Sequence, residues 1–117
     1  MGTRVLRLAL ALGFMTVLVS ASFLYSNALA GNKHVAEAIE HAQTAIKHGQ
    51  QGHADVLVKH AEEGLKHAQA AQKDVKSPHL DEGVKALMDA VKHGKAGHPN
   101  EGTKAAESAV MHLSEVK

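Results

Sequence analysis

The sequence predicts an all-α fold: an antiparallel up-down four-helix bundle made of two duplicated helical hairpins, preceded by a signal peptide. Three observations predict it. The first 30 residues differ sharply from the rest, the remainder repeats at a constant offset of 45 residues, and its alanine-rich periodicity is broken by short glycine turns.

Residues 1–30 read as an address. Arg4 and Arg7 make a positive start, Leu8 to Val19 is an apolar run, and Ala28, Leu29 and Ala30 form a small-residue cleavage site. The apolar stretch continues nearly to Tyr25 and approaches the ~20 residues that span a bilayer. The small side chains at Ala28 and Ala30 favour cleavage after Ala30 over a retained anchor, so residues 31–117 are expected to be exported and free of the membrane.

Setting the leader aside changes the composition. Phe14, Phe23 and Tyr25 are the only aromatic residues besides histidine, and all three leave with it. Arg4 and Arg7 are the only arginines, so thirteen basic residues become eleven against twelve acidic ones, which is not the balance of a nucleic-acid binder. There is no cysteine, which excludes disulfides and thiolate metal sites even in an oxidising compartment. All ten histidines remain within residues 31–117. The core available to them is rich in Ala and Val and poor in large side chains, so a marginal domain is expected, stabilised by any ion that binds only the folded state.

The repeat organises the second part of the chain. His34 to His67 aligns without a gap on His79 to His112. Ala45-Ile46-Lys47-His48-Gly49 followed by Gly52-His53 recurs as Ala90-Val91-Lys92-His93-Gly94 followed by Gly97-His98. Each unit reads as two helices. Val35, Ala38, Ile39, Ala42, Ala45 and Ile46 recur at three- and four-residue steps, as do Ala54, Leu57, Ala61, Leu65 and Ala68. Gly49 and Gly52 bracket the turn, with Gly49 suited to the left-handed position past a helix end. Ser77 followed by Pro78 supplies a capping hydroxyl and a proline at the first helical position, and His98 followed by Pro99 starts the last helix similarly. Gly64, Gly83 and Gly102 should weaken the individual helices. Met88 and Met111 are expected in the core rather than as copper(I) ligands, because a soft-metal site would cluster several sulfurs.

The histidines fall at 34, 41 and 48, then 53, 60 and 67, then 79 and 93, then 98 and 112, in steps of seven or fourteen within each helix. A seven-residue step returns to nearly the same face, so every helix carries a straight row of imidazoles. Neighbours on one helix are about 10 Å apart at 1.5 Å per residue, too far to chelate one ion. Folding back at the turn sets His48 near His53, His41 near His60, and His34 near His67. Both rows lie about 100° to the same side of their apolar stripes, so they should face each other as rungs. The second unit lacks histidine at Ala86 and Ala105, which are partners in this scheme: a whole rung is missing, as expected if paired imidazoles act together.

Carboxylates extend the donor set. Glu37 lies one turn from both His34 and His41, Glu63 one turn from His60 and His67, and Glu82 follows His79 by three; Asp89 and Glu101 stand similarly to His93 and His98. These are read either as ligands or as outer hydrogen-bond partners and solvated charges. A lone histidine reads as a satisfied polar residue or a pH sensor; ten at fixed spacing, lost in a pair, read as metal ligands. Neutral imidazole suits Cu(II), Ni(II) and Zn(II), and the general affinity order places Cu(II) first.

The KHGxxGH turn and the seven-residue histidine steps on paired helices resemble the small metal-binding protein family of ammonia-oxidising bacteria. The resemblance covers nearly all of residues 31–117 and includes the leader. It implies a periplasmic four-helix bundle that binds several divalent ions, copper preferred, for metal sequestration, storage or detoxification. Onto this chain it carries His34, His41, His48, His53, His60, His67, His79, His93, His98 and His112 as metal ligands. Ala86 and Ala105 depart from the pattern and imply lower capacity in the second half.

Two other functions are weighed against this one. An enzyme is not expected, because neither the ExxH of di-iron bundles nor HExxH occurs anywhere in the chain. An exported protein-interaction module, or a chaperone delivering metal to an accepting protein, is the alternative, but an apolar docking stripe would not require regular histidine spacing. A monomer is expected.

Overall fold

A computed structural model of the chain describes residues 32–117; the leader expected over residues 1–30, with its cleavage after Ala30, lies outside the described residues. The described chain is four helices and contains no strand: α1 (Lys33–Gln50), α2 (Ala54–Gln72), α3 (Pro78–Lys95) and α4 (Pro99–Ser114). None of these helices is long and apolar enough to cross a membrane. Each helix packs on two neighbours in the order α1, α2, α3, α4 and back to α1, with a thinner contact between α2 and α4.

Local chemistry sets the helix ends. The Asn32 side chain accepts hydrogen bonds from the backbone N–H of His34 at 2.9 Å and of Val35 at 3.2 Å, satisfying two of the donors a helix start leaves free. Ser77 accepts from Leu80 N–H at 3.4 Å ahead of Pro78, as its sequence predicts. His98 takes the equivalent position before Pro99 but makes no side-chain capping bond. Gly49, expected at the left-handed position, instead lies inside α1, and Gly52 takes that conformation at φ +79°. The helix runs on to Gln50 and closes through two bonds, Gly52 N–H to the Gly49 carbonyl at 3.0 Å and His53 N–H to the His48 carbonyl at 2.9 Å. This is the Schellman pattern, and it needs a residue free to take positive φ at its fifth place. The second turn repeats it: Gly97 has φ +79°, and His98 N–H donates to the His93 carbonyl at 2.9 Å. The KHGxxGH sequence therefore closes a helix and brings two histidine backbones together in one motif.

The core is built mostly of small side chains. Ala38, Ala42, Ala45, Ala61, Ala68, Ala71, Ala90, Ala106 and Ala109 are fully buried, and the largest fully buried side chains are Leu57, Leu80, Leu87 and Leu113. One cluster draws Ala45 from α1, Leu57 and Ala61 from α2, Ala90 from α3 and Ala106 from α4. Most of the predicted apolar stripe is buried; Ile46, Ala54 and Leu65 are half-buried at its edges. Met88 and Met111, expected in the core, are 53% and 69% exposed. Both sit on the outward faces of their helices, Met88 with Lys85 and Lys92 and Met111 with Lys104 and Glu107, all exposed.

Gly64 makes the seam between α1 and α2 tight. A Cβ there would lie 3.3 Å from the Ala38 carbonyl oxygen and 3.4 Å from His41 Cβ, so the two helices meet beside a histidine. Replacing Gly64 by Leu should push α1 off α2 and lower the unfolding free energy by about 1–3 kcal/mol through overpacking. Urea denaturation checks this, and an unchanged midpoint would mean that the seam is looser than described.

Candidate metal centre

The turn fixes the first rung and the helix period carries the rest. His48 and His53 flank the Schellman turn with ring centroids 6.0 Å apart. One heptad further along both helices, His41 and His60 face each other with their Nδ1 atoms 3.5 Å apart. A further heptad brings His34 Nδ1 to 3.4 Å from His67 Nδ1. All three pairings are those the sequence predicts.

The sequence reading treats these rungs as separate, whereas in the structure the two rows interleave. His67 also stacks on His41, with centroids 5.5 Å apart and planes 10° from parallel. His60 likewise stacks on His48 at 5.8 Å and 3°. The reason is the tilt of the Cα–Cβ bond toward a helix's own N-terminus. The rungs ascend in number along α1 and descend along α2, so the side chains of the two helices lean in opposite directions along the seam. His41 leans toward His67 and His60 toward His48. Six imidazoles thus form one row in the order 34, 67, 41, 60, 48, 53, with neighbouring centroids 5.5–6.0 Å apart.

A carboxylate closes the open end of this row. Glu37 Oε2 lies 2.8 Å from His67 Nδ1 and 3.6 Å from His34 Nδ1. His34, Glu37 and His67 form the one group of three or more donors among the described residues whose ligand atoms all lie within 4.8 Å of one another. Metal–nitrogen and metal–oxygen bonds of about 2.0–2.2 Å place adjacent donors of one ion about 3 Å apart, so the three atoms fit a single small cation with little movement. Glu37 is placed by the sequence beside His34 and His41; the structure pairs it with His34 and, across the seam, with His67. Lys33 also approaches it, at 3.9 Å.

The other proposed carboxylates are not brought into such a group. Glu63 accepts a hydrogen bond from Lys66 at 3.1 Å, and that contact holds its carboxyl below the usual range. Glu82 is exposed. In the second hairpin His79 and His112 pair with centroids 5.9 Å apart. His93 and His98 are joined by their backbones, but no ring pairing between them is found among the described residues. Between those two ends, Ala86 is buried and Ala105 packs on the core cluster, so the missing rung is filled by the bundle itself.

Electrostatics distinguish the middle of the row. His60 is held below the ordinary imidazole value, first by burial and then by repulsion from His41, His48 and Lys59, with Glu63 opposing. Its neutral form, the one that can donate a lone pair to a metal, is favoured by the fold. His48 Nδ1 is buried without a hydrogen-bond partner.

Fold and site together define a histidine-rich helical bundle carrying a compact His/Glu group able to hold a metal. The chain belongs to the small metal-binding protein family, whose model matches residues 6–116. No curated protein matches it.

A depressed imidazole costs folding nothing while it is neutral in both states. As pH falls below about 6.5 the unfolded chain takes up the proton first, so stability is lost down through the folded value. Side-chain NMR of the metal-free protein should therefore give His60 a midpoint below about 6.5. A midpoint at or above that value would contradict the burial described.

Proposed function

We propose that the protein is a periplasmic metal-sequestering bundle that binds several divalent transition-metal ions, copper(II) preferred, between histidines of adjacent helices. The observation that carries this reading is the convergence of His34, Glu37 and His67 on one small volume. In the metal-free protein, a proton on His67 Nδ1 occupies the contact with Glu37, and an incoming cation replaces it. The His41/His60 rung offers two nitrogens at similar separation, leaving further positions to water. At His48 the buried Nδ1 leaves Nε2 as the nitrogen for an ion to use. The opposite lean of the α1 and α2 histidines along the seam supports an antiparallel up-down topology, and the KHGxxGH turns at both hairpins support a duplicated unit spanning residues 34–67 and 79–112.

Copper(II) is favoured by the donor set, since imidazole with carboxylate and no thiolate follows the general order that peaks at copper, with nickel and zinc as weaker competitors. Export rests on the leader, with cleavage after Ala30. The bound ion is cargo: the role is storage or detoxification by a monomer, not catalysis.

Calorimetric copper titration tests the proposal. Because ligation requires neutral imidazole, uptake at pH 7 should far exceed that at pH 5, below the ordinary imidazole value of about 6.5. Glu37→Gln should weaken the tightest binding step by at least about tenfold while sparing the other steps. Equal uptake at both pH values would exclude histidine ligation.

A further inference from the structure

We infer that the six imidazoles on the α1/α2 seam act as a relay, along which a bound divalent cation moves between His34 and His53 without returning to solvent. The inference rests on the metal-binding reading above and adds to it a route between sites.

Spacing carries the argument. Along a single helix the histidines are about 10 Å apart, and no ion could be held by one while being captured by the next. Interleaving roughly halves that step. Within rungs, centroid separations of 5.6 and 5.8 Å correspond to facing nitrogens 3.4 and 3.5 Å apart. The contacts between rungs, His67 with His41 at 5.5 Å and His60 with His48 at 5.8 Å, are no longer. A ring turn about χ2, a torsion with broad wells, therefore aims a nitrogen at either neighbour. In each step one metal–nitrogen bond forms as another breaks, the imidazoles stay neutral and no electron moves. Every interior ring, from His67 to His48, has a neighbour on both sides, so the ion keeps at least one imidazole throughout.

The second hairpin is an internal control. Ala86 and Ala105 occupy two consecutive places in the corresponding row, so a relay there would stop between His112 and His93. Alanine at these positions is also compatible with the bundle, one buried and the other packed on the core.

The test uses zinc(II) alone, a diamagnetic probe, at substoichiometric loading, with exchange between histidine sites followed by side-chain NMR and uptake checked by calorimetry. In the unaltered protein, exchange between the His34 and His53 ends should proceed at a rate independent of protein concentration. In the double variant His41→Ala with His60→Ala it should fall by at least about tenfold, as release to solvent and recapture replaces an intramolecular path. An undiminished rate in the variant, or a concentration-dependent rate in the unaltered protein, overturns the relay while leaving metal binding intact. Absence of zinc uptake by the unaltered protein overturns the binding reading and the relay together. Should the variant lose its helical signal, the comparison is made within the unaltered chain: exchange across the second hairpin should be slower by the same factor, and equal rates in the two hairpins overturn the proposal.

Discussion

The close approach of α1 to α2 is the constraint on which the rest of the molecule depends. Imidazoles can share an ion only if their backbones are near enough for the rings to meet, and here the seam is lined by alanines and by Gly64 beside His41. A seam of leucines would bury more apolar area and stabilise the bundle more, but it would hold the rows further apart. The protein has the opposite composition: small residues at the interface, with only Leu57, Leu80, Leu87 and Leu113 as large, fully buried side chains. A core of this kind buries less apolar area per contact than one of leucines, and an ion that binds only the folded chain adds stability by mass action.

Much of this was legible in the sequence because its signals are periodic. The seven-residue step gives a face, the apolar stripe gives an interior, and the glycine turn gives the fold-back that pairs His34 with His67, His41 with His60 and His48 with His53. Three features were not legible. The left-handed residue is Gly52 and not Gly49, because a Schellman closure places it three residues beyond Gly49, whose carbonyl accepts the Gly52 N–H. Met88 and Met111 lie on the surface because they fall on the outward faces of α3 and α4, beside Lys85 and Lys92 and beside Lys104 and Glu107. The interleaving of the two rows depends on the lean of each Cβ along its helix, a direction that residue spacing omits but that the general geometry of helices supplies.

The two hairpins differ in a way that matters for function. The first combines a continuous row of six imidazoles with the Glu37 carboxylate at its open end; the second has one ring pair at its far end, a backbone-linked pair at its turn, and alanines between. Glu82, the counterpart of Glu37 by the repeat, stays exposed. The same helical scaffold thus carries one edge dense in imidazoles and one sparse edge; Ala86 and Ala105 account for the missing rung, while Glu82, His93 and His98 keep their residue types without forming the contacts of the first hairpin.

The central claim is that histidines from two helices ligate the same ion. Pulsed electron paramagnetic resonance of the protein loaded with a single equivalent of copper(II) tests it most directly, because the echo modulation counts the imidazoles coupled to each ion. The account predicts at least two imidazoles per copper. One imidazole per copper at every loading would contradict it.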